Sequence, residues 1–196
     1  MSTSHSAAAL TAMLPPRPGR GMRMDWAAVE EAWGLEFPSD YKQVIAHYGD
    51  VLFGDYLQVL APSTVTPDTC DEPGAPRGGM GFITADARDT WMVTAPTGVE
   101  TEAQDLVVWG AASSADLFCW LARGEPDEWP VVVFSHGEDT WTRYDVGMTE
   151  FLVRVLRGQP GFEVMIDTPL WGDRHASYAN SAERRRAREG GADPKE

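Results

Sequence analysis

The strongest constraint on the fold lies between Asp25 and Pro62, where DWAAVEEAWGLEFPSDYKQVIAHYGDVLFGDYLQVLAP carries two short helices and a strand with their punctuation in place. Asp25 is positioned to accept a free backbone N–H at a helix start, and Trp26, Val29 and Trp33 recur at near-helical spacing before Gly34 ends the run. Phe37-Pro38-Ser39 opens a second helix, with Pro38 or Ser39 near its beginning, where a missing donor or a capping hydroxyl costs least. Tyr41, Val44, Ile45 and Tyr48 fall at i, i+3, i+4 and i+7 and so share one face, and Gly49 supplies the stop. That apolar face needs a cover, and Tyr56 to Leu60, closed by Pro62, reads as a mostly buried strand.

Beyond Pro62 the chain loosens. Ser63 to Gly81 holds three prolines and four glycines and predicts a long loop, Phe82 to Val93 has room for a short helix around Ala85 to Trp91, and Thr94 to Gln104 is polar. Four strand-like runs follow: LVVW (106–109), DLFCWL (116–121), WPVVVF (129–134) and TWTRYD (140–145). The links between them are short, with Gly124 to Glu128 as a turn and Ser135 to Asp139 as a hairpin connection, so an antiparallel meander is the economical reading. Met148, Phe151, Leu152, Val155 and Leu156 then mark a one-faced helix ended by Gly158, with Arg154 and Arg157 near its C-terminal dipole end. FEVMIDTPLW (162–171) is suited either to an edge strand or to covering the core. This order predicts an α+β fold with an N-terminal helix pair, an antiparallel sheet of about four to six strands and a packed C-terminal helix. It disfavours the alternating order of a Rossmann-type dinucleotide-binding sheet.

Charge divides the chain into body and flanks. Residues 25–172 hold seven basic and 25 acidic residues, a net −18, whereas the flanks together hold nine basic and five acidic, giving −14 for the 196 residues. The expected organisation is a disordered tail over 1–24, a single domain over 25–172 and a flexible charged tail over 173–196, with Ser181 to Arg188 able to form a transient helix. An acidic body repels phosphate backbones, so its folded part is expected not to bind nucleic acid directly and to prefer a basic partner. No apolar run approaches the roughly 18 residues needed to span a membrane. Ala7 to Leu14 is mildly apolar, yet its arginines follow it, the wrong order for a secretory signal; a cytoplasmic location is expected.

Signatures of chemistry are sparse. The sequence contains no G-x-S-x-G elbow, no GxxxxGK[ST] loop and no HExxH helix, and neither a cofactor nor a metal is expected. Gly78-Gly79-Met80-Gly81 has no following lysine and reads as a turn. Cys70 and Cys119 are far apart, without metal-ligand spacing, and Cys119 sits inside an apolar run. His47 reads as a structural histidine. His136 has Ser135 and Asp139 beside it, but adjacency in a turn does not make a triad. Asp68, Asp71 and Glu72 lack the calcium-loop pattern and read as solvated loop charge. Trp26, Trp33, Trp109 and Trp120 sit in apolar patterns and read as core. The expected contact residues are Glu125, Asp127 and Glu128, an acidic turn beside Trp129, together with Asp50 and Asp55 at the entry to the first strand. Such carboxylates can meet arginines through charge-assisted hydrogen bonds.

Taken in order, the helix ending in WG, LEFPSDY, HYGDVLFGDYLQVLAP, VVW, DLFCW, PDEWPVVVF and MTEFLVRVLRG resemble the SUKH superfamily, the Smi/Knr-like domain, over Asp25 to Gly158. The resemblance implies a helix pair, an antiparallel sheet and a packed C-terminal helix. It also implies a non-enzymatic binding role. Many bacterial members are immunity proteins that neutralise polymorphic toxins, often nucleases or deaminases, and fungal relatives are regulatory binding proteins. The segments 63–104 and beyond Gly158 depart from the family pattern. The expected function is thus an immunity protein that binds a basic toxin domain. The alternatives are a regulatory or scaffolding protein with a resident partner, and a hydrolase whose dispersed site would bring His47 or His136 to carboxylates in a cleft.

Overall fold

Three helices precede the first strand in the computed structural model, which describes residues 3–75, 78–96 and 101–190: α1 (Thr3–Met13), α2 (Trp26–Trp33) and α3 (Ser39–Tyr48). The caps of α2 are those its sequence calls for: the Asp25 carboxylate accepts from the Ala28 N–H at 3.2 Å, and Gly34 ends the helix in the left-handed region. Helix α3 buries Tyr41, Val44, Ile45 and Tyr48, the face expected from their spacing. Its first turn is capped from afar. The Asp127 carboxylate accepts from the Ser39 N–H at 2.6 Å and from the Ser39 hydroxyl at 2.9 Å.

Seven strands form one antiparallel sheet: β1 (Val51–Phe53), β2 (Leu57–Val59), β3 (Leu106–Ala112), β4 (Leu117–Leu121), β5 (Val131–Ser135), β6 (Thr140–Tyr144) and β7 (Tyr178–Asn180). Their spatial order is β6-β5-β4-β3-β2-β1-β7. The meander from β3 to β6 follows the expected runs, and the α+β class with helices at both ends of the chain is as expected. The strand count exceeds the four to six anticipated by one, with β1 and β7 only three residues each. Gly54 and Asp55, both at positive φ (57° and 52°), turn β1 into β2, a conformation that matches the right-handed strand twist.

Further helices cover both faces: α4 (Met80–Thr94), longer than the turn or two expected, α5 (Met148–Leu156) and α6 (Ser181–Gly190). Two-sided coverage explains why LVVW and LFCWL are apolar throughout rather than alternating. Phe118 and Trp120 meet Phe151 of α5 and Tyr41 of α3, with ring centroids 6.0 and 4.9 Å apart. On the opposite face α4 packs against β3, and its Trp91 meets Trp141 of β6 at 4.9 Å. The β3–β4 register shifts between Val108 and Gly110, a bulge at Trp109, and the Thr84 hydroxyl of α4 accepts the Val108 N–H at 3.1 Å. Gly81, in the first turn of α4, serves close approach: a Cβ there would stand 2.4 Å from the Val65 carbonyl oxygen.

The flanks differ from the expected tails. Thr3–Met13, placed in a disordered stretch over 1–24, is a helix packed on α3 and α5, with Ala7, Leu10 and Leu14 buried and the Tyr48 hydroxyl donating to the Leu14 carbonyl at 2.6 Å. Apolar residues at i, i+3 and i+7 gave it a face to bury. Tyr178–Asn180, placed in a flexible tail over 173–196, pairs with β1, and a reciprocal Asn180–Glu183 capping box starts α6. The sheet therefore extends past the 25–172 boundary; residues 191–196 lie outside the described residues. Residues 162–171 form no edge strand. They take a 3-10 turn (Glu163–Met165) and further turns that bury Phe162, Met165 and Leu170, the covering role of the two foreseen.

Candidate functional site

The N-terminal ends of α3 and α5 meet beside the turn before β5, and the gap between them is an acidic cleft of about 210 Å³. Its lining carries Asp40, Asp127, Glu128, Asp145 and Glu150, against one cation, Arg143. Asp40 forms the floor at 1% exposure. One of its oxygens accepts from the Tyr41 N–H at 2.7 Å and the other from the Thr149 N–H at 3.1 Å and hydroxyl at 2.8 Å, so one carboxylate caps the first turns of two helices. Burial pushes its pKa above the usual carboxylate value, partly opposed by the donors from Thr149 and Tyr41; the nearby Asp127 charge raises it further.

The rim is more open. Arg143 pairs with Asp145 at 2.7 Å, both largely exposed, and Glu150 is ion-paired one turn along α5 with Arg154. Glu128 is exposed in the 3-10 turn Pro126–Glu128, and Glu125 begins that turn, also exposed. Asp127 lines the cleft while its carboxylate is engaged by Ser39.

The six expected contact residues separate into two groups. Asp127 and Glu128 line the cleft and Glu125 adjoins them in the chain, as sequence suggested. Trp129 does not face a partner: it is 4% exposed, its indole N–H donates to the Gly124 carbonyl at 3.3 Å, and its ring lies 6.1 Å from that of Trp120. An aromatic next to an acidic turn is pulled inward here by the core on the other side of the turn. Asp50 and Asp55 lie toward the other end of the sheet, around β1. Asp50 is half-buried, accepting from the Gln58 amide at 2.7 Å with Arg184 at 3.6 Å; burial raises its pKa while Gln58 and Arg184 lower it. Asp55 is exposed at the tip of the β1–β2 turn.

Sequence reasoning missed Asp40, Asp145 and Glu150. Asp40 had a signal, as an acidic residue in the first turn of a helix with a clear start; nothing local pairs it with Thr149, 109 positions away. His47 and His136 are both exposed and neither lines the cleft; the backbone N–H of His136, rather than its ring, bonds to Asp116 at 2.8 Å. Among the described residues no three His, Cys, Asp or Glu side chains are grouped to hold a metal. Cys119 is fully buried, and burial pushes its thiol pKa far up. The cleft therefore presents a floor held by hydrogen bonds to two helix starts and a rim rich in carboxylates, an arrangement suited to receiving a cationic side chain. Compared with known proteins, the chain matches no protein-family model, no curated protein and no solved structure.

Proposed function

We propose that this chain is a SUKH-type, non-catalytic protein-binding module, an immunity protein that binds a basic toxin domain and neutralises it in the cytoplasm. The observation that carries the reading is the acidic cleft between α3 and α5, set in a body of net −18. Carboxylates held on packed helix ends offer lysine or arginine side chains partners whose geometry is already ordered, which lowers the entropic cost of binding. The surrounding field steers a basic domain to the site and repels nucleic acid. Among the described residues no helix is long and apolar enough to cross a membrane.

The test is a pull-down from the native host with the tagged chain at low and moderate salt, followed by mixing with any recovered partner. Recovery of a basic toxin-like domain, encoded by a neighbouring gene and inactivated on mixing, is the expected result. Recovery of resident cellular proteins alone, with no toxin gene nearby, would replace this reading with the regulatory one.

A further inference from the structure

The two flanks that look like separate tails in sequence converge on one corner of the fold. Arg17 and Arg20, from the chain before α2, both bond the Glu183 carboxylate of α6, at 3.3 and 3.2 Å. The Tyr178 hydroxyl donates to the Pro15 carbonyl and the Asn180 amide to that of Arg20, at 2.5 and 2.9 Å. Arg23 shares a surface cavity with Arg20 and Ala182. Arg185, Arg186 and Arg188 continue along α6, exposed, and no salt bridge among the described residues engages them. This basic pole sits on the β7–β1 edge of the sheet. Asp145, just past β6, and Glu128 line the cleft, and with the exposed Glu125 of the same turn they form an acidic pole at the β5–β6 edge.

Seven strands place six inter-strand steps between β6 and β7, about 29 Å at roughly 4.8 Å per step. That is about three Debye lengths at 0.1 M salt, so the two poles do not neutralise each other within one molecule. We infer that the basic pole of one copy docks on the acidic pole of another, in a head-to-tail contact. A compact acidic patch fits a compact arginine cluster, which binds carboxylates in bidentate fashion. A nucleic-acid strand would instead extend its phosphates past the pole and along the −18 body. Because the two surfaces differ, the contact is heterologous and builds open chains rather than a closed dimer.

Sedimentation velocity on the full chain tests this at ionic strengths of about 0.1 M and about 1 M. The weight-average mass should rise with concentration from 21.5 kDa, by roughly twofold or more, at the lower salt and remain at the monomer value at the higher. The variants R185E/R186E/R188E and E125K/E128K/D145K should each sediment as monomers with unchanged circular dichroism, and mixing them should restore association. A wild-type chain that is monomeric at both salts overturns the proposal. So does a gel shift of a duplex oligonucleotide, abolished by R185E/R186E/R188E, from a chain that does not self-associate: the pole would then belong to phosphate backbones.

Discussion

Truncating Asp40 to alanine should cost about 2–3 kcal/mol of folding stability, more than any other carboxylate of the cleft. Two helix first turns each lose a cap, at about 1 kcal/mol per cap, and the Thr149 hydroxyl loses an acceptor, about 1 kcal/mol more. Relief from burying a charge offsets part of this, leaving about 2–3 kcal/mol and a melting temperature lowered by about 5–10 °C for a chain of this size. Asp40→Asn separates charge from hydrogen bonding: it keeps one carbonyl acceptor but turns an NH2 group toward either the Tyr41 or the Thr149 donors, at about 1–2 kcal/mol. The pH dependence has a definite sign. Burial raises the folded pKa of Asp40 above 3.8, so between those two values the native state holds more protons than the unfolded one, and stability falls as pH rises through the window. The asparagine variant lacks this term. Its deficit relative to wild type should therefore widen as pH falls from 7 toward 4. Urea denaturation followed by circular dichroism at several pH values measures both quantities. An alanine variant within about 0.5 kcal/mol of wild type, which is the range of an ordinary surface change, would refute the idea that this carboxylate joins α3 to α5.

Other sites give sharper local tests by the same denaturation assay. Asp127→Ala should cost about 1 kcal/mol by uncapping α3, whereas Glu125→Ala and Glu128→Ala, equally acidic neighbours without such bonds, should stay within about 0.5 kcal/mol. Thr84→Val removes the acceptor for the Val108 N–H at the β3 bulge and should cost about 1–3 kcal/mol. Leu10→Ala, at a residue 1% exposed, should cost about 2–5 kcal/mol; no measurable loss would return α1 to the status of a tail. If the cleft receives a basic partner, Glu125→Lys/Glu128→Lys should weaken binding mainly through the association rate, read by stopped-flow or surface-based kinetics. Asp127 is best left out of that variant because its loss also loosens α3.

The acidic turn shows how far a local reading of the site extends. Its charge and exposure were legible at Glu125 and Glu128, because neither depends on distant neighbours. The role of Asp127 was not, since Ser39 lies 88 positions away and only folding brings the two together. Trp129 shows the converse error: a neighbour in sequence was taken for a neighbour on the surface, while the residue that follows the 3-10 turn packs its ring into the core. Asp50 and Asp55, grouped with the turn by charge alone, belong to the other end of the sheet.

The sequence by itself determined α2, α3, α5 and the meander from β3 to β6. Their information is short-range: apolar spacing, a capping Asp25, terminal Gly34 and Gly49, and apolar runs bounded by turns. Only the tertiary structure decided β1, β7, the docking of α1 and α6, the cleft and the two charged poles. Three-residue strands carry too few side chains to show a period and exist through the ladder bonds of their partners, and a flank of weak pattern becomes ordered when a core face already formed is there to receive it. The cleft and the poles are sums over residues distant in the chain, set by which strands end up at the two edges of the sheet.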